Sequence, residues 1–126
     1  MKREIREPKF RYFRDGEMKY FTLYELMYGY VDKNINHPEN YAGEWSGLTD
    51  KNGKEIYEGD IQSLETTDCQ GTPETILSKV FWDSKSAAFE TICIKQNRIF
   101  KTGAQIGIYT DAEIIGNIYE TPELIK

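Results

Sequence analysis

Five carboxylates crowd one short stretch of the chain: Asp50, Glu55, Glu58, Asp60 and Glu65. A pair of carboxylic acids can act on a sugar-like substrate, one as acid and the other as base or nucleophile. Such a pair needs a shaped pocket to set its protonation states. Nothing in the spacing marks these acids off from a solvated face, and the solvated face is the favoured reading. A calcium loop counted from Asp50 would need glycine sixth and a bidentate acid twelfth; Glu55 and Ile61 stand there instead. Asp60 follows Gly59 and reads as an acceptor for backbone amides around that break.

Other chemistry is scarce. His37 is the single histidine and lies beside Pro38 in a polar stretch, with no serine or cysteine nucleophile pattern nearby. Cys69 and Cys93 have no metal-ligand spacing. The segment 103–107 has two glycines but lacks the lysine of a phosphate-cradling loop, so it reads as a turn. No catalytic residue, metal or cofactor is assigned. The remaining candidates are broad rings: Trp45, Tyr57 and Trp82 could stack on bases, sugars or a protein partner. Trp82 reads as core beside Val80; for Trp45 and Tyr57 core and interface stay equally open.

The elements that must carry these groups are short and β-rich. Lys9–Phe13 alternates, Asp15-Gly16 signals a hairpin and Met18–Leu23 reads as the return strand. The following Tyr24–Tyr28 fits either a continued strand or one helical turn. Residues 32–40 read as a loop broken by Pro38, and 66–74 as another punctuated by Gly71 and Pro73. Ile76–Trp82, apolar on both faces, suits a strand deep in a sheet, with Ala87–Ile94 as its partner. A turn at 95–98 leads to Ile99-Phe100. Glu113–Ile118 forms a last strand with a bulge or close contact at Gly116, and Thr121-Pro122-Glu123 starts a short helix. Seven or more strands joined by tight turns describe an antiparallel sheet, closed like a barrel or folded on itself, with one or two short helices. The length suits a single domain over 1–126.

The most distinctive string runs from Trp45 to Ile61, with Asn52-Gly53 as a hairpin turn, Leu48 and Ile56 as apolar anchors across it, and Gly59-Asp60 as a second break. This string resembles the central signature of the YopX family, small proteins carried mainly by phages and prophages. Glu113–Leu124 resembles that family's closing motif, and Lys9–Phe13 is a weaker third match. The resemblance implies a mainly β fold and brings no catalytic residues and no particular reaction. Within the signature, Trp45, Asp50, Asn52, Lys54, Tyr57 and Asp60 form the candidate binding set.

Charge and composition narrow the partners. The chain is acidic, at −5, yet residues 1–19 carry seven bases against four acids, and the remainder nine against seventeen. Such a field opposes nucleic acid, which is bound through clustered Lys and Arg. The basic residues near the N-terminus read as the outer face of a strand pair; a local anion patch, or a charge match between subunits, are the alternatives. No apolar run approaches the roughly 20 residues of a membrane-spanning helix, and two free thiols suit the reducing cytoplasm of a bacterial host, with a disulfide between them as the other possibility. The leading expectation is an accessory protein that self-associates and presents loops 32–44 and 66–75 to a host or phage protein. A nucleic-acid-binding β module and a small carboxylate-dependent hydrolase are the competing classes.

Overall fold

A computed structural model of the chain describes residues 7–29, 38–67, 69–95 and 105–125. The alternating N-terminal stretch forms β1 (Lys9–Arg14) and β2 (Glu17–Thr22). Asp15 and Gly16, at φ 55° and 76°, join them in a tight two-residue turn, and positive φ at both positions is what the right-handed twist of the strands requires. Thr22 then caps α1 (Leu23–Met27): its hydroxyl accepts from the Glu25 amide at 3.1 Å, and the Glu25 carboxylate accepts from the Thr22 amide at 3.0 Å. That capping box decides the stretch for helix over continued strand.

A 3-10 turn at Pro38–Asn40 leads into β3 (Tyr41–Thr49), which folds back on β4 (Glu55–Tyr57). These complete a four-stranded sheet in the order β2-β1-β3-β4. The rest of the chain supplies β5 (Asp60–Thr67), β6 (Pro73–Asp83), β7 (Ala88–Lys95), β8 (Gln105–Gly107) and β9 (Glu113–Asn117), in the order β8-β7-β6-β5-β9. All pairings among the described residues are antiparallel. The molecule is therefore mainly β, folded into two sheets and not closed into a barrel. A final 3-10 turn covers Pro122–Ile125, where the helix-start signal stood.

The buried face of β6 carries Glu74, Ile76, Ser78 and Val80, as expected of the middle strand of a sheet. Ile56 of β4 packs with Val80 and Ile114, so the first sheet contributes to the core of the second. Gly116 sits beside a register shift between β5 and β9, as expected of a bulge, and a Cβ there would lie 2.9 Å from Leu124 Cδ1, a close contact with side chains rather than with another backbone.

Four expectations are corrected. Leu48 is not a core anchor: β3 holds more residues than β4 between the Trp45–Tyr57 and Thr49–Glu55 pairs, and the irregularity turns Leu48 outward to 40% exposure. Trp82 is not core either, at 47% exposure near the end of β6, where it stacks edge-on against Phe89. The loop expected over 66–75 is shorter, because Thr66 and Thr67 extend β5 and Pro73 already begins β6; likewise Tyr41–Glu44 belongs to β3. Arg11 does not lie on an outer face but is buried. Cys69 is exposed and Cys93 buried, both as free thiols. Residues 1–6, loop 32–37 with His37, the turn expected at 96–98, Ile99-Phe100 and the start of the glycine segment at 103–104 lie outside the described residues.

Candidate functional site

Arg11 is the hub from which the site is built. It leaves β1 with 2% of its surface exposed. Its Nε donates to Ala42 O at 2.8 Å, one terminal nitrogen to Asp60 Oδ1 at 2.7 Å, and the other to Glu58 O at 2.8 Å. Its guanidinium also lies 4.9 Å from the centre of the Tyr57 ring. One side chain thus ties β1, β3, the β4–β5 connection and β5 together. Asp60 accepts a second bond at Oδ2, from the Tyr57 amide at 2.7 Å. Burial pushes the Asp60 carboxyl above its ordinary value, opposed by Arg11 and that amide. The expected structural role of Asp60 is present, and its main partner, a buried arginine between two aromatics of β1, escaped the sequence reading.

Beside this pair opens a cleft of about 250 Å³ lined by Tyr20, Lys54, Glu55, Tyr57 and Asp60 with Asn117 and Glu120. It brings together three of the six candidate residues, Lys54, Tyr57 and Asp60. Its acids are engaged: Glu55 holds Lys9 at 2.6 Å, and Glu120 accepts from Asn117 Nδ2 at 2.8 Å. Burial first, and then Glu55, push the Tyr57 phenol well above its ordinary value. The cleft is smaller than the roughly 300 Å³ at which small-molecule pockets begin.

Asp50 and Asn52 serve the hairpin. The Asp50 carbonyl accepts from the Gly53 amide at 3.0 Å while its own amide donates to Lys54 O at 2.8 Å. Gly53 takes φ 81°, and the dipeptide works as a type I turn closed by a glycine bulge. The Asp50 carboxylate accepts from Asn52 N and Lys54 N at Oδ1, each 2.9 Å, and from Ile114 N at Oδ2, 2.9 Å. Burial opposes ionisation, but these amides and Lys54 outweigh it and hold the carboxyl below its ordinary value. Asp50 is therefore a clamp between hairpin and β9. Asp50, Glu58 and Asp60 do not share a pocket: Asp60 lines the cleft, Glu58 a different depression, and Asp50 neither.

That other depression, about 230 Å³, is lined by Tyr41, Glu44, Glu58, Trp82 and Phe89. A neighbouring one of similar size is lined by Glu44, Trp45 and Phe89 among others. Gly43, at φ 116°, lets the chain at Glu58 approach β3 closely; a Cβ there would sit 2.5 Å from Glu58 O. Burial and then Glu44 push the Glu58 carboxyl up, against Arg11 and the Trp82 amide. Burial, Glu58 and Glu44 push the Tyr41 phenol up to about 12. Trp45 is half-buried, with its Nε1 donating to Leu48 O at 3.0 Å and Lys9 Nζ standing 4.9 Å over its ring. Glu44, Glu58 and Tyr41 were absent from the candidate set; only their closeness in space distinguishes them.

A third surface is apolar. α1 buries none of its residues, and Leu23, Tyr24, Leu26, Met27 and the capping Tyr28 are all exposed, following exposed Tyr20 on β2.

A family model described as YopX protein matches residues 9–126, nearly the whole chain. The chain belongs to the YopX family. No curated protein matches it. The two YopX-like stretches, 45–61 and 113–124, are neighbours in space: Asp60 pairs with Asn117, Ile61 with Gly116, and Asp50 holds the Ile114 amide. The weaker YopX-like match, Lys9–Phe13, contributes Arg11 to the same junction. These stretches thus meet at one junction, where the Asp50–Ile114 and Arg11–Asp60 contacts tie the chain's two sheets together. No helix among the described residues is long and apolar enough to cross a membrane.

Proposed function

We propose that this YopX-family protein is a phage- or prophage-type accessory protein that acts by binding other protein chains in the host cytoplasm, and that it self-associates through the face carried by α1. The observation that supports this is the helix itself. Met27 is 71% exposed, Tyr28 62% and Tyr24 56%, on an element that contributes nothing to the core. Open aromatic and methionine side chains in one place are characteristic of interface centres. The capping box holds them in a fixed helical arrangement, which lowers the entropic cost of docking.

The nucleic-acid reading has less to draw on. Arg11 is enclosed and paired to Asp60, and Lys9 is held by Glu55. Phosphate contacts need free, accessible bases.

Sedimentation equilibrium tests the self-association. The wild type is expected to form dimers or larger species, and Met27→Glu to weaken them at least tenfold. A wild type that stays monomeric at several hundred micromolar overturns that half of the proposal. A tagged capture from host lysate, with and without nuclease, tests the other half. A stoichiometric protein that survives nuclease supports it; nuclease-sensitive nucleic acid transfers support to the basic strands.

A further inference from the structure

The two depressions that share Glu44 and Phe89 form one groove whose chemistry points to a specific guest. Its walls are aromatic: Trp82 is 47% exposed and Tyr41 42%, with Phe89 holding the Trp82 ring edge-on at 5.1 Å. Its floor is anionic, from Glu44 and Glu58. No cationic side chain among the described residues is within ion-pairing distance of either. Arg11 passes close by, but its charge is matched by Asp60 at 2.7 Å, so the two glutamates have no cationic partner of their own among the described residues. Two like charges beside exposed ring faces are a poor arrangement for an empty surface and a good one for a cation.

We infer that this groove receives the guanidinium of an arginine carried by a partner protein, stacked on Trp82 and Tyr41 and paired with Glu44 and Glu58. The inference rests on the reading of the molecule as a protein-binding module and gives that partner its chemistry. A planar guanidinium can stack on a ring and bond a carboxylate with two parallel N–H groups, which an ammonium cannot. The neighbouring ring already attracts a cation within the chain, since Lys9 stands over Trp45 and leaves Trp82 and Tyr41 as the open faces. Burial first, and then the neighbouring carboxylates, push Glu58 and Tyr41 up, and a guest cation would offset the second of these. Groups facing Glu58 are Glu44 and Tyr41 from β3, Arg11 from β1, the Trp82 amide from β6 and Tyr119 beyond β9. Protonating Glu58 competes with the guest, so affinity falls toward acid pH.

The probe is a capped hexapeptide of glycine and serine with one central arginine, beside versions carrying lysine or the neutral isostere citrulline. The chain's two tryptophans both line the groove, so tryptophan fluorescence and the indole N–H signals in NMR report occupancy. The arginine peptide is expected to bind at least fivefold more tightly than either counterpart, and Trp82→Ala and Glu58→Gln each to lose at least fivefold. Glu58→Gln removes a like-charge repulsion, so it is expected to raise the thermal midpoint at neutral pH while weakening binding. A residue with a merely structural role would not move the two in opposite directions. Equal binding of arginine and citrulline, equal binding of arginine and lysine, or an unaltered affinity in Glu58→Gln overturns the inference. The lysate capture remains separate: a captured protein with no peptide binding removes only the arginine groove, and an empty capture removes the parent reading while the titration still reports on the groove.

Discussion

Arg11 is a charge that left the surface to become a fastener. A buried ion pair broken from one side leaves the other charge stranded, at a cost of about 3–5 kcal/mol. Arg11→Met should therefore lower stability by about that amount in urea titration, with Asp60 Oδ1 left without its charged partner. Arg11→Met combined with Asp60→Leu should recover much of the loss, because the penalty lies in the orphaned carboxylate. If the double variant is as unstable as the single, the Ala42 and Glu58 carbonyls, which lose their donor, and the Tyr57 amide, which loses its acceptor, matter more than the charge. From sequence alone Arg11 is indistinguishable from its exposed neighbours: alternation assigns it a face but does not reveal that a second sheet covers that face. Asp60 was more legible, because an acid after a glycine break announces a local acceptor.

At the level of elements, turns and caps are where local chemistry decides structure. Asp15-Gly16, Asn52-Gly53 and Thr121-Pro122 all stand where the sequence places breaks or starts, because each works through its own backbone preference. The outcome for Leu48 was not legible, since extra residues accommodated within β3 depend on its pairing with β4 rather than on any dipeptide. The capping box Thr22-x-x-Glu25 supplies the signal for α1; it stands in the sequence, but the sequence reading leaves the stretch open between strand and helix. Two glycines separate conformational from steric cost. Gly53→Ala meets nothing within 4 Å but keeps φ 81°, so it should cost about 1–2 kcal/mol. Gly116→Ala needs no unusual φ yet drives its methyl into Thr121 Oγ1 and Leu124, and should cost about 1–3 kcal/mol. Asparagine should therefore partly rescue position 53, where it tolerates the left-handed region, and fail at 116; thermal midpoints of the four variants check this.

For the whole molecule, three carboxylates, Asp50, Asp60 and the half-buried Glu58, oppose one another in their response to pH. Asp50 is held below its ordinary value of 3.8, so it contributes stability that is complete above that value and is lost as pH falls through its folded-state pKa. Glu58 and Asp60 are pushed above their ordinary 4.5 and 3.8. The folded state binds their protons more readily, and stability rises as pH falls through the window above those values. Together they predict greatest stability at mildly acidic pH with a steep loss below about 3.8, measured by urea midpoints across pH. Asp50→Asn should flatten the acidic limb; an unchanged limb would remove Asp50 as its cause. The fold class was legible because turns and alternation are local. The aromatic-acidic groove was not, because Tyr41, Glu58 and Trp82 meet only after both sheets exist.

The junction between the sheets also sets a sequence of events in time. β5, β6 and β7 follow one another through short connections and can pair as soon as they are made, whereas Arg11 and Asp60 are separated by 49 positions. Contacts that close long loops form late in folding. Docking of the first sheet onto a pre-formed β5–β7 meander is then a late step, together with the addition of β9, whose Ile114 amide reaches Asp50 across 64 positions, and the arginine acts as a latch on it. Arg11→Met should accelerate unfolding and leave the folding rate nearly unchanged, as stopped-flow chevrons would show.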